Sequence, residues 1–173
     1  GDIVHGLQFA ESLRSSIDNA RISWVSRELF APLVESCNTV NHTYIFQRKA
    51  PLSIFVKLIR EIRQTAFDWI LDLQGLLRSG IICKCSRGRN KAGRSDAREF
   101  ASLFYPINVP LPSTKTDPHA LEILMEFMQL FGQKPTSLLP PIKFENILNQ
   151  QNKETISNKK NKRLMLFPES RRK

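Results

Sequence analysis

Two polar side chains one helical turn apart open the chain. Asp2 follows Gly1 and precedes His5 by three positions, a spacing that places both side chains on one side of a helix, where they can face the same cleft. An ionised carboxylate within hydrogen-bond reach can take a proton from a hydroxyl group, and the free N–H groups at a helix N-terminus that begins with a glycine suit an anion. The alternatives are that Asp2 only caps the helix and that His5 is a packed histidine.

A second polar group follows the most regular strand pattern of the chain, residues 67–73. The sequence Asp72-Leu73-Gln74-Gly75 ends that strand, and ligands of open parallel sheets bind beyond the carboxyl ends of the strands. Asp72 and Gln74 are therefore expected near a cleft, with Arg78 as a nearby cation for a phosphate. Alternatively, Asp72 only accepts hydrogen bonds from the neighbouring loop amides.

Three more cations stand in short polar segments. Arg48 and Lys49 form a pair, and Arg98 lies between Asp96 and Glu99. A guanidinium group offers a planar fork for a carboxylate or a phosphate. The alternative for each is a surface salt bridge, which Arg98 could form with Asp96 or Glu99.

The net charge of +10 in 173 residues is unevenly distributed. From Lys153 to Lys173 there are eight basic and two acidic residues, and six basic residues with no acid lie between Leu73 and Ser95. Such blocks suit phosphates on nucleic acid, nucleotides or anionic lipid, although the first block also fits a solvated linker. Nucleic-acid binding is disfavoured because the basic residues show no interleaved aromatic pattern and no known motif.

Other classes of protein are disfavoured by simple counts. No apolar stretch approaches the length of a membrane-spanning helix, about eighteen residues, and the residues given do not open with a signal peptide. Three cysteines, Cys37, Cys83 and Cys85, do not provide the spacing of a zinc site or a disulfide framework, so we expect reduced thiols and no metal.

The apolar periodicity predicts alternating helices and strands. Helices are expected over residues 1–17, 28–36, 51–65, 76–85, 97–105 and 117–131, and strands over 20–26, 39–46, 67–73, 91–94 and 164–167. Asp117 is expected to cap the last helix, with Pro118 in its first turn and Gly132 at its end. This alternation predicts a doubly wound α/β domain with a largely parallel sheet. Because the chain opens on a helix, we expect its first strand to be absent.

Three segments in this order resemble one family: GDIVHGL, FDWILDLQGLLRS and GRSDAREFASLFY. They are similar to the lipopolysaccharide heptosyltransferases of glycosyltransferase family nine, and most similar to the type that adds the first heptose, heptosyltransferase I. The order of RKAPLS, His119-Ala120 and LMLFPESRRK supports the same assignment. The resemblance implies the N-terminal half of a two-domain GT-B enzyme. Residues 1–145 would form a Rossmann-like acceptor domain, 146–162 a polar linker, and 163–173 the start of the nucleotide-sugar domain.

The resemblance also implies roles for individual residues. Asp2 matches the general base, and the acceptor side would comprise Gly1, His5, Arg48, Lys49, Gln74, Arg78 and Arg98. Ser170, Arg171 and Lys173 would reach the donor diphosphate. Where the family usually has His-Thr-Leu-Pro, this chain has His5-Gly6-Leu7-Gln8.

The implied reaction is inverting transfer of L-glycero-D-manno-heptose from ADP-heptose to a Kdo sugar of lipid A, at the cytoplasmic face of the inner membrane. ADP-heptose is the donor substrate, and no metal or other cofactor is expected. The alternatives are a relative that heptosylates another core sugar or a protein, a basic domain that binds nucleic acid or an anionic surface, and a truncated product without activity. We expect the 173-residue chain alone to transfer no heptose.

Overall fold

The computed structural model describes residues 2–113, 117–135 and 139–145. Its helices are α1 (Asp2–Ser16), α2 (Ala31–Glu35), α3 (Leu52–Ile62), α4 (Leu77–Cys85) and α5 (Ala120–Met125). Its strands are β1 (Ile22–Arg27), β2 (Val40–Phe46), β3 (Phe67–Asp72), β4 (Gly88–Arg94) and β5 (Ile107–Val109). Short 3-10 helices span Glu28–Phe30, Ala101–Phe104 and Glu126–Phe131. Within these residues, no helix is both long enough and apolar enough to cross a bilayer.

All strand pairs are parallel, as expected for strands that are connected through helices. β1 pairs with β2, and β3, β4 and β5 form a second sheet in that order. The central pairing places Phe67 opposite Gly88 and Asp72 opposite Gly93. The predicted α/β class with parallel strands is therefore confirmed, and the described strands form two sheets of two and three strands.

Most predicted elements lie where expected, but several differ from the prediction. Residues 97–105 do not form one helix, because Glu99 and Phe100 have left-handed backbone angles of φ 56° and 61° and only a 3-10 turn follows them. Strand β5 was not predicted. The last helix starts at Ala120 and tightens into a 3-10 helix after Met125.

The cap of α5 is His119 and not Asp117. The Nδ1 atom of His119 accepts a hydrogen bond from the Leu121 amide at 3.3 Å, and the Glu122 carboxylate accepts one from the His119 amide at 3.0 Å. The reciprocal bonds satisfy amides that the first turn of a helix leaves free. Gly132 ends the following 3-10 helix with φ 71°, as predicted.

Two apolar clusters hold the elements together. In the larger one, Phe9 of α1 packs with Ala92 of β4, Val109 of β5 and the segment Leu124–Met128, while Trp69 and Leu71 of β3 lie against them. In the smaller one, Tyr44 of β2 packs with Leu58 and Ile62 of α3, and Phe67 and Ile82 contact it. The predicted strand over residues 164–167 and the polar linker lie outside the described residues.

Helix α1 also approaches the two-stranded sheet closely. A Cβ atom added at Gly6 would lie 2.7 Å from the ring of Trp24 in β1, which is shorter than any ordinary carbon contact. Glycine at this position therefore lets the helix lie against the indole.

We predict that Gly6→Val lowers the free energy of unfolding by about 1–3 kcal/mol, because the added atoms overpack the Trp24 contact. Urea unfolding followed by circular dichroism measures the loss. Ser15→Val, at an exposed position of the same helix, is the control for placing a β-branched side chain in the helix. Equal losses in both variants would contradict the proposed contact, and Trp24→Leu should reduce the loss caused by Gly6→Val.

Candidate functional site

The segments that follow the strands form one continuous edge, here called the carboxyl edge. The Arg48 amide after β2 donates to Glu28 Oε2 after β1 at 3.4 Å, and Arg78 Nη1 in α4 donates to the Arg48 carbonyl at 3.3 Å. The Leu77 amide donates to Glu99 Oε2 at 3.0 Å. These bonds link the ends of β1, β2, β3 and β4, so the carboxyl ends of both sheets lie on the same side of the protein.

Helix α1 runs antiparallel to the strands, which brings its first turn to this edge. Its last turns lie at the opposite edge, because Arg14 Nη1 donates to the Thr39 carbonyl at 3.2 Å, just before β2, and Glu11 accepts a hydrogen bond from the Thr39 hydroxyl. Asp2 and His5 therefore lie at the carboxyl edge, with the Asp2 side chain exposed and His5 half-buried. Gly1 lies outside the described residues.

His5 contacts a residue that the sequence interpretation gave no role. The ring of His119 lies edge-on to the His5 ring at 4.9 Å between centroids and an interplanar angle of 71°. His5 Nδ1 is buried and has no hydrogen-bond partner among the described residues. Burial, followed by the charge of His119, lowers the pKa of His5, while the charge of Asp2 raises it. These effects favour a neutral imidazole.

Asp72 organises the turn that follows β3. Its Oδ1 atom accepts hydrogen bonds from the Gln74 and Gly75 amides, both at 3.0 Å, and Gly75 has the positive φ of 66° that the turn requires. The Asp72 side chain is buried, whereas Gln74 is exposed. The structure thus shows the alternative in which Asp72 binds loop amides, and it places Gln74 on the surface of the edge.

Burial raises the pKa of Asp72, and the hydrogen bonds from the Gly75 and Gln74 amides, the nearby Ser79 hydroxyl and the charge of Arg94 oppose that rise. The Oδ2 atom is buried without a partner among the described residues. Nearby, the buried hydroxyl group of Tyr105 also has no hydrogen-bond partner among the described residues. Burial and then the charge of Asp72 raise the pKa of Tyr105 to about 12. Both side chains are thus held in the interior beneath the edge.

Arg94, at the end of β4, was not among the predicted site residues. Its Nε and Nη2 atoms bind the Asp96 carboxylate at 2.9 and 2.6 Å. The hydrogen bond with Asp96 raises the pKa of Arg94 most, and the charges of Asp96, Asp2 and Asp72 add to this against burial. Arg94 therefore lies within electrostatic range of both Asp2 and Asp72. No local sequence pattern indicates this, because the three residues come from separate elements.

The four predicted acceptor cations, Arg48, Lys49, Arg78 and Arg98, are all exposed at this edge. In the part of the chain that the structure describes, the recorded ion pair is Arg94 with Asp96. Asp96 and Glu99 are engaged by Arg94 and by the Leu77 amide, so the alternative of a salt bridge between Arg98 and either carboxylate is not what the structure shows. Arg78 lies over the Phe46 ring at 5.8 Å. The cations remain available to an anion.

Other features lie away from this edge or outside the described residues. A surface cavity of about 380 Å³ is lined by residues 66–68 and 87–89, where β3 and β4 begin. Across the described ranges, no group of three or more His, Cys, Asp or Glu side chains could hold a metal ion. Cys37, Cys83 and Cys85 are free thiols, and burial raises the pKa of Cys83 to about 12. Ser170, Arg171 and Lys173 are not among the described residues.

We predict that stability depends on pH through Asp72. Because burial raises its pKa above the unfolded value, the folded state holds the proton more tightly than the unfolded chain. The resulting stabilisation is present at low pH and is lost as the pH rises from about 4 through the raised pKa. Asp72→Asn keeps an oxygen that can accept from both amides but does not titrate. Wild-type stability relative to this variant should therefore fall as the pH rises, as measured by urea unfolding.

Asp18→Asn, at an exposed carboxylate, is the matched control and should show no such fall. If the stability of the wild type relative to Asp72→Asn instead rose with pH, the amide hydrogen bonds would outweigh burial, and the pKa of Asp72 would be lowered and not raised.

The fold resembles that of known structures. The chain resembles the solved structure of E. coli heptosyltransferase WaaC with ADP-2-deoxy-2-fluoro heptose, with a TM-score of 0.68 and 23% identity, over 79% of this chain and 47% of that one. WaaC with ADP gives the same TM-score and identity over 79% of this chain and 46% of that one. The chain thus spans about half the length of these structures. The likeness supports the predicted Rossmann-like α/β fold.

A comparison with curated protein sequences gave no match. The sequence profile of glycosyltransferase family 9 (heptosyltransferase) matches residues 55–173. Because this match covers well over half of its residues, the chain belongs to glycosyltransferase family 9.

Proposed function

We propose that the full-length protein transfers heptose from ADP-heptose to a Kdo sugar of lipid A with inversion, and that the carboxyl edge holds the acceptor. Family membership supports heptosyl transfer. The WaaC structures contain ADP or an ADP-heptose analogue, which supports a nucleotide-sugar donor. The single observation that carries the acceptor assignment is the convergence of an exposed carboxylate, Asp2, and four exposed cations on one edge.

Asp2 is proposed as the general base. It would take the proton from an acceptor hydroxyl while that oxygen forms a bond to the anomeric carbon of the heptose. The bond from this carbon to the ADP oxygen breaks on the opposite side, and ADP leaves with the electron pair. Proton transfer by a positioned carboxylate contributes about 10²–10⁴-fold in rate. The charge of Asp2 raises the pKa of both His5 and Arg94, which supports a site in which these three side chains lie near one another.

The exposed cations are proposed to bind the acidic groups of the acceptor. Arg48, Lys49, Arg78 and Arg98 would pair with its carboxylates and phosphates, because guanidinium groups bind both in a bidentate manner. Gln74 would donate to a sugar hydroxyl from the exposed turn. Gly1 and His5 would shape the pocket beside Asp2.

The donor side is proposed to include Ser170, Arg171 and Lys173, which would contact the diphosphate. Cationic and backbone N–H donors can stabilise a departing diphosphate without a metal. We further propose that the protein works as a peripheral protein at the cytoplasmic face of the inner membrane, where a lipid-linked acceptor is accessible.

We predict that Asp2→Ala in the full-length protein lowers turnover of ADP-heptose and Kdo-lipid A at least about 100-fold. Binding of ADP, measured by calorimetry, should stay within about twofold, because Asp2 acts on the acceptor. Asp18→Ala, two residues beyond the C-terminal end of α1, is the matched control and should retain turnover. Retained turnover in Asp2→Ala would remove Asp2 as the base.

We also predict that the 173-residue chain alone transfers no heptose, because the proposed donor side would need the rest of a two-domain enzyme. The assay is release of ADP in the presence of both substrates, with the full-length protein as the positive control. Turnover by the 173-residue chain would contradict the proposed division of the site.

A further inference from the structure

Arg94, Asp96 and Arg98 alternate along the short segment in which β4 ends. The Arg94 guanidinium group binds both carboxylate oxygens of Asp96, through Nε at 2.9 Å and through Nη2 at 2.6 Å. The Ala97 amide donates to the Arg94 carbonyl at 3.3 Å, which closes a turn over these residues. In the sequence, two cations thus flank one carboxylate, and in the structure that carboxylate is bound by Arg94.

The contact between Arg94 and Asp96 is a two-bond fork, which is stronger and more specific in geometry than a single hydrogen bond. Both side chains are partly shielded from solvent. The hydrogen bond from Arg94 is the largest cause that lowers the pKa of Asp96, and the same bond raises the pKa of Arg94. The two directions agree, so the fork favours the charged form of both groups.

The turn is held against the loop that follows β3. The Arg98 amide donates to the Gly75 carbonyl at 2.8 Å. A Cβ atom added at Gly75 would lie 3.1 Å from the Ala97 Cα atom and 3.7 Å from the Arg94 Cδ atom, so the turn packs directly on the glycine. The backbone of Arg98 is therefore fixed at the carboxyl edge, and the partner of its side chain is what can vary.

Asp96 also lies within electrostatic range of Arg98. It precedes Arg98 by two positions, and the charge of Arg98 contributes to the lowered pKa of Asp96. Arg98 nevertheless makes no ion pair with a described residue. A carboxylate paired with Arg98 would compete with an acidic group of a ligand for the same guanidinium donors. The fork with Arg94 keeps this competitor occupied.

We propose that Arg94 is a positioning residue that binds Asp96 and so keeps Arg98 open to an acidic group of the acceptor. This role deepens the proposed function, and it rests on that function for the acceptor contact of Arg98. Arg94 acts through Asp96 and does not itself contact the acceptor. If Arg94 bound the acceptor directly, the loss of Arg94 could not be compensated by a change at Asp96.

The test is steady-state turnover by the full-length protein at saturating ADP-heptose with a varied concentration of Kdo-lipid A. Arg94→Gln releases Asp96 to pair with Arg98, so it should raise the KM for the acceptor about tenfold and keep kcat within about twofold. Asp96→Asn added to Arg94→Gln removes the competing carboxylate and should return the KM to within about threefold of the wild type. Arg94→Lys keeps a cation beside Asp96 and should also stay within about threefold.

The matched control is Arg89→Gln, which removes an exposed arginine near the start of the same strand. Both kinetic constants should stay within about twofold of the wild type, because Arg89 lies at the opposite edge. Recovery in the double variant also excludes misfolding as the cause of the loss, since removal of a second member of the fork cannot restore a damaged fold.

A second readout needs no turnover. In NMR spectra of the full-length protein without substrate, the side-chain Nε–H signal of Arg98 should shift in Arg94→Gln, where Asp96 accepts from it. The shift should be absent when Asp96→Asn is added. An unchanged KM in Arg94→Gln, a double variant as impaired as Arg94→Gln, or an unmoved Arg98 signal in Arg94→Gln would overturn the proposed role of Arg94.

Arg98→Gln distinguishes this failure from failure of the proposed function. A raised KM in Arg98→Gln together with an unchanged KM in Arg94→Gln would overturn the role of Arg94 alone. An unchanged KM in Arg98→Gln would contradict the proposed acceptor contact itself, whereas the Arg98 signal would still report whether Arg94 keeps Asp96 occupied.

Discussion

The packing of α1 across both sheets is the constraint on which the candidate site depends. Gly6 lets the helix lie against Trp24 of β1, while Phe9 enters the cluster formed around β4, β5 and the segment after α5. At the other end of the helix, Arg14 binds the Thr39 carbonyl. One helix thus fixes the two sheets relative to each other, and its direction brings Asp2 and His5 to the carboxyl edge.

In this arrangement, buried and exposed polar groups have different roles. Asp72 lies beneath the edge and holds the turn through two amides, so it shapes the surface that Gln74 occupies. The Arg94 guanidinium group binds Asp96, and Arg98 makes no ion pair with a described residue. The exposed cations of the edge make no ion pair with another described residue, which supports the proposed binding of an anionic acceptor.

Regular elements with uninterrupted apolar patterns could be predicted from the sequence, and β3 and α1 lie close to their predicted bounds. The helix predicted over residues 97–105 does not form, because Glu99 and Phe100 turn the chain in a left-handed conformation. Their residue types do not predict this conformation. Strand β5 has only three residues, and Pro106 and Pro110 flank it. Of the predicted site residues, Asp2, His5, Gln74 and the four cations lie at the carboxyl edge, and their roles there are proposals. The positions of His119 beside His5 and of Arg94 near Asp2 could not be predicted, because these residues are distant in the sequence and approach each other only in the folded chain.

We propose that the carboxyl edge receives the acceptor sugar, and not the cavity where β3 and β4 begin. The most direct test is amide chemical-shift mapping of the full-length protein during titration with a Kdo-containing oligosaccharide. We expect the perturbed amides to cluster at residues 2–5, 74–78 and 94–98. Perturbations centred on the cavity of residues 66–68 and 87–89, with none at the carboxyl edge, would contradict it.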